Sequence, residues 1–179
     1  MDAQQWRAAV LDHLERGGPV CRRAAAYIRQ HDVPIGFARQ TTGARWTLRG
    51  AIELKSPPCS LQTSPADPWV LGIIVHEATH LQQGVARALS VEGEVEAWKA
   101  EQAARAELRA PLQDSPHLQA VALTPDAPTK RDLRQARAAM LAHAGWRYLV
   151  WLLPYRSSVW TRLIAAVSRV IFRTRKAGE

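Results

Sequence analysis

The sequence is poor in cysteine and has no long hydrophobic run. Only two of its 179 residues are cysteine, Cys21 and Cys59, and they do not have the spacing of a metal-binding cysteine pair. We therefore expect two unlinked thiols in a reducing compartment, with a single disulfide as the alternative. No uninterrupted apolar stretch reaches the ~20 residues that a membrane-spanning helix needs. The start of the chain lacks the apolar segment of a secretory signal, so we expect a cytoplasmic protein.

Acidic residues are scarce in the last part of the chain. Lys130 to Glu179 contains 11 Lys or Arg residues and two acidic ones, although the net charge of the whole sequence is only +8. The remainder of the chain is therefore close to neutral, and a polyanion would meet the protein at its C-terminal part. No recognised nucleic-acid motif accompanies this charge, so nucleic acid is disfavoured as a partner.

The basic residues near the C-terminus recur at helical spacing. A helix predicted over 157–175 has apolar residues on one face and basic residues on the other, namely Arg162, Arg169 and Arg173, followed by Lys176. Such a helix can lie on an anionic membrane surface, so 157–179 could attach the protein peripherally to the inner face of the membrane. The alternative is a last helix that packs its apolar face on the domain and exposes its arginines.

The remaining pattern predicts a mostly helical α+β fold. The chain is long and apolar enough, at 47% hydrophobic residues, to form one domain with a buried core. One strand is predicted over 44–55, with Gly50 as a bulge or bend, and loops at 56–68 and 110–129. We assign residues 1–153 to the domain and 154–179 to a basic amphipathic helix. Periodicity and capping signals predict helices over 3–16, 20–31, 68–83, 91–109, 130–153 and 157–175.

The segment WVLGIIVHEATHLQQG, residues 69–84, combines an apolar first half with metal-binding side chains. An Asp-Pro dipeptide before it is a favourable helix start, and its apolar half indicates a buried, central helix. His76 and His80 are four residues apart, so on a helix their imidazoles lie on one face and can direct nitrogens at one point. Such a pair suits Zn²⁺, and Glu77 is then positioned to take a proton from water.

A third ligand is expected on the next helix, in SVEGEVEAW. At about 100° per residue, Glu94 lies nearest to the apolar stripe that starts at Val91, whereas Glu92 and Glu96 point further from it. Glu94 is therefore the carboxylate that can reach inward, unless all three form a solvated acidic face. Glu101, two turns after Glu94 on the same side, can serve as a hydrogen-bond partner of a ligand histidine.

The string HEATHLQQG followed by EVEAW resembles a small zinc metallopeptidase of the gluzincin type. In that family, His-Glu-x-x-His is followed by a Glu-x-x-Ala-Asp or Glu-x-x-Ala-Asn element on the next helix. The resemblance covers residues 67–101 and implies a zincin-like fold with this motif on a central helix. It implies His76, His80 and Glu94 as zinc ligands and Glu77 as the catalytic base.

The sequence departs from this family at Trp98, which occupies the position usually held by Asp or Asn. That side chain normally orients a ligand histidine, so its replacement removes the usual support. The resemblance also implies an edge strand before the metal helix that lines the cleft, which fits 44–55.

The resulting functional hypothesis is a zinc-dependent peptidase that hydrolyses peptide bonds in a peptide or protein substrate. The alternative, from a different class, is a non-catalytic helical protein that binds a membrane or a partner. In that protein the metal site would be structural or vestigial.

Overall fold

The chain forms seven α-helices and three short β-strands within the residues that a computed structural model describes, 1–110 and 116–145. The predicted mostly helical α+β fold is therefore confirmed. The predicted helix within 154–179 lies outside the described residues, and the domain boundary at 153 stays a prediction. The elements in chain order are α1 (Ala3–Glu15), α2 (Pro19–Gln30), β1 (Ile35–Ala38), β2 (Ala44–Trp46), β3 (Ile52–Lys55), α3 (Pro68–Gln83), α4 (Val85–Ala88), α5 (Val91–Glu107), α6 (Pro116–Ala122) and α7 (Lys130–Ala144).

The chain divides into two compact units. Among the described residues, the first consists of 1–82 and 97–110, and the second of 83–96 and 116–145. The boundary between the units falls within α5, so this helix contributes residues to both.

The first unit has a hydrophobic core built from α1, α2, the sheet, α3 and the second half of α5. Its first helix begins with a capping box, in which Asp2 accepts from the backbone N–H of Gln5 at 2.8 Å and Gln5 accepts from that of Asp2 at 3.0 Å. Each large apolar side chain removed from water contributes about 1.5–3 kcal/mol to folding. The largest fully buried ones in this core are Trp6, Leu11, Leu14, Ile28, Ile52, Leu54, Leu71 and Ile74.

Both cysteines are buried in this core and carry unlinked thiols, as the sequence predicted. Burial raises the pKa of Cys21 to about 12, and a hydrogen bond and the negative charge of Glu107 act in the same direction. Cys21 is therefore a protonated, unreactive thiol.

The three strands form one sheet in the order β1-β3-β2, with β1 parallel and β2 antiparallel to β3. The prediction of a single strand over 44–55 is wrong, because the chain reverses at Gly50, which has φ of +79°, and the segment forms the two strands β2 and β3. A reversal of this kind needs a left-handed residue, and glycine adopts that conformation without steric cost. β1 was not predicted, because it has only four residues, includes Gly36 and begins only five residues after the last residue of α2.

The second unit contains α4, α6, α7 and the first turns of α5. Helix α7 begins at Lys130, as predicted, with a capping box between Thr129 and Asp132. It ends at Ala144 rather than at 153, because Gly145 follows with φ of +75°. The predicted loop over 110–129 is wrong in part, since α6 lies within it and packs on α7. None of the helices among the described residues is long and apolar enough to span a membrane.

Candidate metal centre

The helix α3, which carries the two histidines, begins and ends where the sequence predicted. Asp67 caps its start, since its Oδ1 accepts from the backbone N–H of Trp69 at 2.8 Å and of Val70 at 3.3 Å. Pro68 occupies the first helical position, where its missing N–H leaves no hydrogen bond unmade. Gly84 follows the last turn with φ of +74°, which ends the helix.

The half of α3 that carries the two histidines is almost entirely shielded from water. His76, Glu77 and His80 expose only 6%, 6% and 3% of their surface, and the apolar run 70–75 that precedes them is also buried. Ionisable groups this deeply buried are costly unless charges and hydrogen bonds compensate them. The charges and hydrogen-bonding groups around these three side chains therefore determine how they are stabilised in the interior.

The two imidazoles direct the same type of nitrogen toward each other. Nε2 of His76 and Nε2 of His80 lie 3.1 Å apart, and the two rings are nearly perpendicular, at 72°. Two nitrogens bound tetrahedrally to one zinc ion at ~2.0–2.1 Å would be separated by about 3.3 Å. The spacing of the imidazoles therefore matches that of two ligands of a single ion.

Glu94 completes a group that could hold a metal ion. One ligand atom from each of His76, His80 and Glu94 can be chosen so that all three lie within 4.8 Å of one another, and all three residues are buried. The other two candidate carboxylates are instead ion-paired with the guanidinium of Arg87, at 3.6 Å for Glu92 and 2.9 Å for Glu96. The angles between residues along this helix predicted that Glu94, and not Glu92 or Glu96, points inward.

Glu101 lies beside the first histidine, on the side away from the paired nitrogens. Its Oε2 lies 3.2 Å from Nδ1 of His76, and its Oε1 accepts from the guanidinium of Arg105 at 2.5 Å. Burial raises the pKa of Glu101, but its interactions with His76 and Arg105 outweigh this effect and hold the pKa below its ordinary value. The ionised carboxylate therefore accepts from the arginine at one oxygen and lies beside the histidine with the other.

A glycine in α3 allows this pair to approach closely. A Cβ at Gly72 would lie 3.0 Å from Cγ and Nε of Arg105 and 3.4 Å from Cγ of Glu101. Gly72 is one helical turn before His76, on the same face. The absence of a side chain there lets α5 bring Glu101 and Arg105 against the face of α3 that carries His76 and His80.

Two tryptophans contact the histidines. The ring of Trp98 meets that of His76 edge to face, with centroids 5.1 Å apart and an interplanar angle of 81°. The ring of Trp46, in β2, lies 6.3 Å from that of His80. Aromatic contacts of this kind restrict ring rotation and exclude water from the imidazoles.

Sequence reasoning missed two residues of this centre. Arg105 follows Glu101 by four residues, a spacing that favours an ion pair on a helix, and this signal was present but not used. Trp46 is brought to His80 by the pairing of β2 with β3, which no local sequence pattern could reveal.

Comparison of the chain with protein-family models, with curated proteins and with solved structures gave no match. The interpretation of the centre therefore rests on its geometry and on the chemistry of its side chains.

Proposed function

We propose that this protein is a zinc-dependent peptidase, with His76, His80 and Glu94 as the zinc ligands and Glu77 as the general base. The observation that carries the proposal is the 3.1 Å approach of the two Nε2 atoms within a buried group that includes Glu94. The position of Glu77 directly after the first histidine adds the base that hydrolysis requires.

The donor set favours zinc over other common metals. Two imidazole nitrogens and a carboxylate oxygen suit a borderline-soft ion, whereas Ca²⁺ and Mg²⁺ prefer oxygen ligands alone. The metal-binding group has three members among the described residues. Three protein ligands are typical of catalytic zinc, which keeps a fourth position for water or substrate.

The roles of the side chains follow from this assignment. Zinc, when bound, polarises a substrate carbonyl and lowers the pKa of a coordinated water towards ~7. Glu77 then takes the proton of the attacking water on its carboxylate and returns it to the nitrogen of the leaving amine. His76, His80 and Glu94 hold the ion and do not themselves transfer protons.

The sheet supports a peptide as the substrate. β2 is an edge strand, and its Trp46 lies next to His80. Edge strands present backbone N–H and C=O groups to which an extended peptide can add as a further strand. A peptide bound in this way would run past the proposed zinc ligands.

One observation favours a second candidate function, a structural metal site. All four residues of the proposed centre are buried, and closed sites are typical of structural zinc. In that case the protein would bind zinc for stability alone, and the carboxylate of Glu77 would have no catalytic role.

Metal analysis combined with Glu77→Gln separates the two functions. Under the peptidase proposal the wild type holds one zinc per chain and cleaves an unstructured protein such as casein. The variant keeps its zinc and loses about 10²–10⁴-fold in rate, the usual contribution of a general base. Glu15→Gln, in an exposed ion pair with Arg29, is the matched control and retains full activity. Zinc binding with equal cleavage by wild type and Glu77→Gln would contradict the proposal.

We also propose that the enzyme acts in the cytoplasm, attached peripherally to the inner membrane face. The support is the concentration of positive charge after residue 130, which suits anionic lipid headgroups. The segment concerned, 157–179, lies outside the described residues.

A further inference from the structure

We infer that the sheet of the first unit selects acidic peptides, through basic residues that surround the edge strand β2. The inference rests on the proposed function, in which an extended peptide adds to β2. It deepens that proposal by naming the class of substrate, a segment that carries Asp or Glu at alternate positions. Its basis is a local concentration of positive charge that the near-neutral charge of the chain before residue 130 conceals.

Segment 39–55, from the residue after β1 to the end of β3, is strongly basic. It has a single acidic residue, Glu53, and a net charge of +3 (four cations minus one carboxylate). The four cations are Arg39, Arg45, Arg49 and Lys55. Of these four, only Arg45 has a carboxylate partner among the residues that the structure describes, since its Nε donates to Glu53 at 2.7 Å. The other three positive charges are therefore available to an acidic partner.

The strand register places two of the cations on one face of the sheet. Arg45 is paired with Glu53, and Lys55 lies two residues further along β3, so all three side chains project from the same face. That face is the solvent side, because the alternate residues Ile52 and Leu54 are buried in the core. An anionic side chain that reaches this face therefore meets positive charge without displacing core residues.

The distance from β2 ranks the cations. A peptide added to β2 would lie one strand spacing from Arg45 and two from Lys55, about 5 and 10 Å. Both distances are within about one Debye length at physiological salt, ~8–10 Å, so both charges act on the peptide. Arg49 lies in the turn that directly follows β2, whereas Arg39 follows β1 at the far edge. Arg45, Arg49 and Lys55 therefore account for most of the charge that the peptide meets.

The backbone of β2 offers hydrogen bonds at the same place. In an antiparallel pair, alternate residues direct their N–H and C=O groups to the partner strand. The bond from the N–H of Thr47 to the C=O of Ala51, at 2.9 Å, shows that the odd-numbered residues of β2 bond to β3. Trp46 therefore directs its N–H and C=O groups to the open edge. A chain that pairs with these groups passes His80, whose ring lies 6.3 Å from that of Trp46.

The alternation of side chains along a bound strand converts this geometry into a preference for sequence. Side chains of an added strand point in turn to the two faces of the sheet. Those on the solvent face lie beside Arg45, and Asp or Glu is favoured there because opposite charges on neighbouring strands attract. Those on the other face lie on the side of Trp46, where an aromatic ring favours apolar residues. The preferred peptide therefore alternates acidic and apolar residues.

The test measures peptide binding by fluorescence anisotropy with the full-length Glu77→Gln chain, so that cleavage does not consume the probe. The probe is a labelled peptide of about seven residues in which Glu alternates with Val. A second peptide has Ser in place of each Glu. A third retains Glu but has methyl groups on alternate backbone nitrogens, so it cannot pair as a strand.

The acidic peptide should bind about 10-fold more tightly than the Ser peptide, since each cross-strand charge pair contributes a factor of about 1.5–5. This preference should shrink as salt is added, because salt screens exposed charges. The methylated peptide should bind at least about 10-fold more weakly than the acidic peptide, because it lacks the backbone hydrogen bonds that an added strand makes.

Two double variants test the cations, Arg45→Gln with Arg49→Gln and Arg49→Gln with Lys55→Gln. The second leaves the ion pair between Arg45 and Glu53 intact, so the contact between β2 and β3 is preserved. In both variants the preference for the acidic peptide should fall to about 3-fold or less, as fewer charge pairs form. Circular dichroism confirms that each variant folds.

The matched control removes the same amount of charge elsewhere in the first unit. Arg16→Gln with Arg23→Gln changes two exposed arginines, one at the end of α1 and one in α2. This control should retain the full preference for the acidic peptide.

The outcomes distinguish this inference from the proposed function. If the acidic peptide binds with the expected preference but the wild type cuts no casein, the proposed function fails while the acidic-peptide site stands. If casein is cut but the two double variants keep the preference of the parent chain, the inference is refuted while the peptidase stands. Equal binding of the methylated and acidic peptides would refute pairing with β2. Flotation with anionic liposomes that falls in the double variants, with peptide binding unchanged, would assign the basic face to a membrane and overturn the inference.

Discussion

Removal of the Glu107 carboxylate should destabilise the packing of α5 on α2. Glu107 is the last residue of α5, and its two oxygens accept from the backbone N–H groups of Val20 and Cys21, each at 2.9 Å. These groups belong to the first turn of α2, whose N-cap, Gly18, has no side chain to satisfy them. A Cβ at Gly18 would overlap the Glu107 side chain, so the glycine makes room for a cap from another helix.

The size of the effect follows from the two hydrogen bonds. Loss of a helix cap costs about 0.5–2 kcal/mol, and charge-assisted hydrogen bonds lie at the upper end of that range. We therefore expect Glu107→Ala to lower the free energy of unfolding by about 2 kcal/mol. For a chain of this length, each kcal/mol corresponds to a melting-temperature change of about 2–4 °C, so the variant should melt about 4–8 °C lower.

The effect should depend on pH with a defined sign. Burial raises the pKa of Glu107, but the hydrogen bonds from Cys21 and Val20 outweigh it, so the pKa lies below the ordinary value of a glutamate. A depressed carboxyl pKa stabilises the fold above the unfolded-state pKa, and this stabilisation disappears as the pH falls through the lower folded-state pKa. The difference between wild type and Glu107→Ala should therefore be full near neutral pH and shrink in acid.

Thermal unfolding followed by circular dichroism measures the loss of stability near neutral pH and, when repeated in acid, its dependence on pH. Glu96→Gln removes an exposed ion pair from the same helix and should change stability by no more than about 0.5 kcal/mol. Equal melting temperatures for wild type and Glu107→Ala near neutral pH would refute the capping argument. A difference that stays undiminished in acid would refute its electrostatic part.

Two further predictions concern the metal centre and the C-terminal segment. Gly72→Ala should lower zinc affinity, measured by chelator competition, because the new Cβ displaces Arg105 and with it Glu101. Stability should fall little, because Ala favours a helix over Gly by about 1 kcal/mol. Unchanged zinc affinity would contradict this account. Deletion of 157–179 should abolish flotation with liposomes that contain anionic lipid, and unchanged flotation would exclude this segment as the membrane attachment.

The parts of the fold that were predictable from the sequence are those that local signals define. α3 was predicted from its Asp-Pro start, its apolar run and the glycine that ends it, and all three signals act within the helix itself. Ser90 likewise caps α5 as predicted, since its Oγ accepts from the backbone N–H of Gly93 at 3.0 Å. β1 and α6 are short elements that are held by packing on other elements, β3 and α7, so the pattern within each gave no sign of them.

The candidate site was predictable to a similar degree. The spacing of His76 and His80 fixes their common face, and angles along α5 selected Glu94 and Glu101. The close approach at Gly72 could not be predicted, because it depends on how two helices pack rather than on the periodicity of either.

The length of α5 between Glu94 and Glu101 is constrained by its own geometry. The two residues are seven positions apart, which is nearly two full turns, so they share one side of the helix. Insertion or deletion of one residue between them would rotate one relative to the other by about 100° and shift it by about 1.5 Å. Any change in the number of residues in this segment would therefore separate the two carboxylates, whereas an exchange of side chains within it would not.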